Sequence, residues 1–181
     1  MKLNVTIEIP KNSKIKYEYD RQTKQISVDR ILYGPSAYPM NYGFIKEALD
    51  WDGDELDALV IADQEFLPGI LVPVRVIGAM EMVDGGETDT KLITVIDCDP
   101  RYSHINDLKD VNPHILKEIQ NFFETYKNLQ NKKVVIKGFK NKDWALKEYE
   151  ECKALMLNFS TMNKKEFVKR MMKEHPEKYT K

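Results

Sequence analysis

The sequence predicts a mainly β domain with flanking α-helices, an α+β chain built on a barrel. Three observations lead there: short alternating segments crowd the first half, the hydrophobic period lengthens after residue 112, and one short strand returns between the later helices.

The elements follow in order. Val5, Ile7 and Ile9 alternate with Asn4, Thr6 and Glu8, the period-two pattern of a half-buried strand. In the next segment Ile15, Tyr17 and Tyr19 alternate with Lys14, Lys16 and Glu18, so Lys16 and Glu18 share a face. Further strands are expected at about 25–29, 56–62, 70–77, 79–83 and 91–97. They are separated by "YGPSAYPMNYG", "LPG" and "DGGETDT", which carry the Gly, Pro, Asn and Asp of turns.

Asn112 before Pro113 signals a helix start, and Ile115, Ile119, Phe122, Tyr126 and Leu129 then form one apolar stripe. "KVVIK" at 133–137 reads as a strand. Asn141 can cap a second helix carrying Trp144, Tyr149, Cys152, Leu155 and Met156. Asn163 and Glu166 resemble a capping box for a third helix through Lys173, stopped by Pro176. The Lys-rich tail beyond His175 is expected to be mobile. Residues 1–160 are expected to form a single domain, with 161–181 a C-terminal helical extension and tail.

Composition narrows the function classes. The chain of 181 residues is 42% hydrophobic and 31% charged, and no apolar run approaches the roughly 20 residues of a membrane span. The net charge of −1 offers no global positive field for a nucleic-acid backbone. Cys98 and Cys152 are far apart and match no disulfide framework or zinc spacing. The N-terminal stretch lacks a signal-peptide pattern, so a cytoplasmic protein without membrane or nucleic-acid partners is expected.

The segment "DWDGDELDALV" crowds Asp50, Asp52, Asp54, Glu55 and Asp57 at the edge of a strand. Like charges this close raise one another's pKa unless a cation sits among them. An acidic turn serving backbone geometry alone is the plain alternative. An EF-hand loop fails, because counted from Asp50 it needs Gly where Glu55 stands and Glu where Ile61 stands. A second acidic set, Asp84, Glu87 and Asp89, also lies between strands, and Glu8 and Glu18 lie on polar strand faces. Oxygen-only donors favour hard divalent ions, Mg²⁺ first with Mn²⁺ as a substitute. Lys16, Arg30, Lys91 and Lys127 are interleaved with these acids, as are the phenols Tyr38, Tyr42 and Tyr126, and such groups suit phosphate. Each also has a structural reading: Lys16 and Glu18 as an exposed strand face with cross-strand ion pairs, Arg30 with Asp29 as a surface pair, Tyr126 as core. Asp50 and Glu55 are read as outer, solvated members. Neither glycine-rich nucleotide loop occurs.

The motifs "IEIP" at 7–10, "IKYE" at 15–18, "VDR" at 28–30, "YPMNYGF" at 38–44, "DGDELDALV" at 52–60, "DGGETDTKL" at 84–92 and "FFETYKNL" at 122–129 together resemble a soluble inorganic pyrophosphatase of family I, bacterial type. That resemblance implies a five-stranded, OB-like closed β-barrel plus C-terminal helices. It implies Mg²⁺-dependent hydrolysis of inorganic pyrophosphate to two orthophosphates in a homohexamer. By the same resemblance Asp52, Asp57 and Asp89 hold the activating metals, Asp84 with Asp89 holds a further ion, and Glu18 lies near another. Asp54 is the general base. Lys16, Arg30, Lys91, Tyr126 and Lys127 contact phosphate, and Lys16, Arg30 and Tyr42 belong to both the catalytic and the phosphate-contacting groups. Glu8 and Tyr38 support the site, and nothing catalytic is expected from about Asn158 onward. Two rivals stand beside this expectation: a nucleic-acid or oligosaccharide binding barrel, and a calcium-binding protein without turnover.

Overall fold

The computed structural model describes residues 1–179. Among these residues nine strands and three α-helices follow one another as β1 (Lys2–Ile9), β2 (Ile15–Asp20), β3 (Gln25–Ile31), β4 (Asn41–Leu49), β5 (Glu55–Ile61), β6 (Leu71–Asp84), β7 (Glu87–Thr88), β8 (Lys91–Ile96), α1 (Pro113–Thr125), β9 (Val134–Lys140), α2 (Lys142–Phe159) and α3 (Lys164–Glu174). Strand order β1-β4-β5-β8-β6 closes on itself because β1 also pairs with β6, Lys2 opposite Arg75 through Thr6 opposite Leu71. The result is the expected closed five-stranded barrel, with β7 and β9 added along β6 and the β2–β3 hairpin standing as a separate sheet.

Alternation divides the strand residues between two hydrophobic clusters. Leu56, Ala58 and Val60 join a cluster that includes Tyr149 and Cys152 of α2 and Phe167 and Met171 of α3. Leu59 and Ile61 join a second with Ile119, Phe122 and Phe123 of α1. Each helix is capped by asparagine: Asn112 accepts from the His114 N–H, Asn141 from Trp144 and Asn163 from Lys165, at 2.9, 3.0 and 3.0 Å. Each cap contributes about 1 kcal/mol.

Three expectations about the strands and helices are corrected. The segment read as a turn at "NYG" opens β4, a barrel strand. Asn41 there is wholly buried as a cross-link, accepting from the Lys11 and Phe66 N–H groups and donating to the Gln64 carbonyl. Gly43 is required by close approach to β1, since a Cβ on it would lie 2.1 Å from the Thr6 carbonyl oxygen. The two strands expected at 70–77 and 79–83 are one strand, β6, with a register shift between Val76 and Gly78. Leu129 falls beyond α1 and is exposed, so the apolar stripe ends at Tyr126.

The tail is fastened through Tyr179 rather than loose. The Lys178 ammonium binds Glu148 and Glu151 at 2.8 Å each, and the Tyr179 hydroxyl donates to the Trp51 carbonyl at 2.6 Å. Buried Glu148 supplies the counter-charge that draws the lysine in. Thr180 and Lys181, also part of that tail, lie outside the described residues.

Candidate active site

Asp57 stands near the start of β5, where Phe44 of β4 and Lys91 of β8 flank it in register. The Tyr42 hydroxyl donates to Asp57 Oδ2, and Lys91 Nζ reaches the same oxygen at 2.6 Å while also binding Asp89. The Lys91 side chain lies 5.5 Å from the Tyr42 ring centre and 5.9 Å from that of Phe123. Burial works to lower this ammonium's pKa, but Asp57 and Asp89 outweigh it and hold the value well above the ordinary lysine range. Lys91 therefore stays charged between two carboxylates, Asp57 of β5 and Asp89 of the turn before β8.

The turn before β5 brings Asp52 and Asp54 to the same place. Asp52 Oδ1 accepts the Asp54 N–H at 2.9 Å, the Asp50 N–H donates to the Asp54 carbonyl at 2.7 Å, and Gly53 takes φ of 89°, a conformation that favours glycine. Burial, then Asp54 and Asp89, push Asp52 above the usual carboxylate range. Glu8 of β1 accepts from the Tyr19 N–H, and burial followed by Asp57 raises it to about 8. These are the crowded acids that cation binding would relieve.

Around them runs a cleft of about 280 Å³. Lys16 and Glu18 line it from β2 and pair along that strand at 3.4 Å, while Lys16 also reaches Asp29 of β3 at 3.4 Å, an ion pair of the cross-strand kind. Asp84, Asp89 and Lys127 line the opposite side, with Lys127 bound to Asp84. Tyr38, Tyr42 and Tyr126 are all buried along its wall, Tyr126 as the residue that ends α1. Arg30 stands apart from this lining: it pairs with Asp29, as the surface reading expects, yet its Nε and Nη2 are buried without a partner among the described residues. Two buried guanidinium nitrogens left free in this way fit an anion. The donor set, all oxygen on the acidic side, likewise fits hard divalent cations.

Asp50 and Glu55 are corrected from solvated to structural. Asp50 is 2% exposed and accepts from the Trp51 and Thr90 N–H groups at 2.8 and 2.9 Å. Glu55 receives Arg21 Nε at 2.7 Å while Arg21 also donates to the Gly53 carbonyl. Asp50, Glu148 and Cys152 lie close enough for a metal group. The two carboxylates already accept from Trp51, Thr90 and Lys178, which makes the group a buried brace beneath the turn. Lys164, from the C-terminal segment where nothing catalytic is expected, lines the cleft and binds Asp54, a contact that the sequence did not single out. Tyr19 and Phe123 complete residues that the sequence did not single out.

A closed barrel that turns carboxylates from two loops, ammonium groups and phenols into one cleft is the build of a hydrolase acting on phosphate anhydrides. The family model described as inorganic pyrophosphatase matches residues 5–157. The inorganic pyrophosphatase of Malacoplasma penetrans is 76% identical over 99% of each chain, and that of Ureaplasma parvum is 70% identical over 100% of each. Among solved structures, the inorganic pyrophosphatase of Helicobacter pylori superposes with a TM-score of 0.84 at 44% identity, covering 86% of this chain and 94% of that one. The chain belongs to the inorganic pyrophosphatase family.

Proposed function

We propose that this cleft hydrolyses inorganic pyrophosphate to two orthophosphates with Mg²⁺ as the working cation and Mn²⁺ as a substitute. The observation that carries the reading is the meeting of Asp52, Asp54, Asp57, Asp84 and Asp89 in one cleft, with Lys91 bound between Asp57 and Asp89. Asp52, Asp57, Asp84 and Asp89 would hold the cations, with Glu18 near another. Bound Mg²⁺ would neutralise phosphate oxygens and make a water acidic enough to attack at neutral pH.

The chain's own groups supply the rest. Asp54 takes the proton of the attacking water as general base. Lys91 and Tyr42 hold the Asp57 carboxylate in one orientation from two directions. Lys16, Arg30, Tyr126 and Lys127, together with Lys91 and Tyr42, bind phosphate oxygens and spread the charge that grows on the leaving group. Glu8 and Tyr38 support this arrangement from the wall.

Phosphate release from purified protein tests the reading, with pyrophosphate and Mg²⁺, with chelator added, and with ATP instead. Rapid, Mg²⁺-dependent release from pyrophosphate alone is expected; none from folded, metal-loaded protein would discard it. Asp54→Asn should retain Mg²⁺ binding and lose about 10²–10⁴-fold in kcat, and a near-normal rate would remove Asp54 from the base role.

The same reading places the enzyme in the cytoplasm as a homohexamer, without nucleic-acid or membrane partners. Exposed Leu67, Ile70 and Leu71 supply apolar surface for assembly, and sedimentation measures its stoichiometry. Among the described residues no helix is long and apolar enough to cross a membrane. Residues 1–160 would be the catalytic domain and 161–181 an appended segment, which limited proteolysis would locate.

A further inference from the structure

Helix α3 lies directly over the acidic turn, beyond the residues matched by the family model. A Cβ on Gly53 would sit 3.3 Å from the Phe167 ring and 3.0 Å from Lys164 Cγ, so the helix rests on the turn's backbone. Phe167 is 1% exposed and belongs to the main hydrophobic cluster, which anchors the helix there. Lys164 is its first residue, and the ammonium binds Asp54 with Asp52 Oδ2 at 3.9 Å. On the other side of the turn, Lys178 lies 4.6 Å from the Trp51 ring centre and Tyr179 holds the Trp51 carbonyl.

We infer that Lys164 is a positioning residue of the active site: a tethered ammonium that neutralises Asp52 and Asp54 while no divalent cation is bound, and releases them when one binds. The inference rests on the proposed roles of those two carboxylates. Without a cation the turn holds acids that repel, and the lysine is the positive group that reaches both. A divalent cation at Asp52 repels the ammonium, so its binding must also break the lysine's pairs. The apparent affinity is then lowered by the factor those pairs are worth, about twofold to fivefold for a half-exposed ion pair.

The test is calorimetric titration of the metal-stripped full chain with Mg²⁺, without pyrophosphate. Lys164→Met keeps the stem that packs on Gly53 and removes the charge. It should bind Mg²⁺ about twofold to fivefold more tightly than wild type and melt lower when metal-free. Lys164→Arg should stay near wild type. Lys165→Met removes one charge from an exposed lysine on the same turn of helix and should leave the affinity unchanged. A merely structural lysine would loosen binding when removed, so the direction of the change is diagnostic. Wild-type affinity in Lys164→Met would overturn the inference, as would equal tightening in Lys165→Met, which would point to a long-range field rather than contact. If wild type itself binds no Mg²⁺, the proposed metal roles fall together with it.

Discussion

Glu8 is the residue where burial and charge are most at odds. It is 7% exposed, faces Asp57, and holds its proton to about pH 8 in the folded chain against 4.5 for an ordinary glutamate. The folded state therefore binds more protons than the unfolded state between those values. Stability from this group is full below about 4.5 and is lost as pH rises through 8. Metal-free protein should melt lower at pH 8 than at pH 5, and Glu8→Gln should recover about 3–6 °C at the higher pH. A calorimetric scan at the two pH values checks this, and an unchanged difference would remove Glu8 as the cause. At this scale the acidic cluster was legible because its members are neighbours in sequence and their repulsion asks for a cation. Lys164 was not, because it meets Asp54 across 110 positions and only the packing of α3 brings it there. Asp50 was misjudged for a related reason: nothing local distinguishes a carboxylate that accepts two N–H groups from one that faces water.

At the scale of elements, β4 shows how turn chemistry can mislead. Asn41 and Gly43 are turn formers by preference. Here the asparagine cross-links three segments, and the glycine lets β1 and β4 approach. Gly43→Ala should cost about 2–3 kcal/mol, since the added carbon meets backbone that cannot swing aside. Denaturant unfolding measures the loss, and a variant as stable as wild type would mean that the two strands can separate freely. The helices were easier to read: an asparagine before each start and a clear apolar stripe are local signals, and the sequence placed all three starts correctly. The continuity of β6 was hidden because Gly78 looks like an interruption, whereas in the barrel it makes room for Leu108 and the Lys140 carbonyl.

For the whole molecule, closure of the barrel and attachment of the tail are separate matters. Pairing of β1 with both β4 and β6 closes the barrel without any residue beyond 160. The tail instead completes a charge balance, because Lys178 is the cation bound to buried Glu148, which also accepts the Trp51 indole N–H at 2.8 Å. Removing residues 176–181 should cost about 3 kcal/mol by leaving that carboxylate unpaired. Equilibrium unfolding of the shortened chain would show it, and unchanged stability would mean the carboxylate finds another partner. The closed barrel could be anticipated from many short strands and from the family resemblance. The tail's docking could not, because its lysines look like any solvated charge run until Glu148 is seen buried beneath them.

The clasp on Trp51 also has a consequence in time. Its residues, Lys178 and Tyr179, are translated after every group that lines the cleft. A nascent chain can therefore close its barrel before the acidic turn is secured, since chains fold from the N-terminal side as they are made. The turn that carries Asp52 and Asp54 is braced at Trp51 only after Lys178 and Tyr179 have been made.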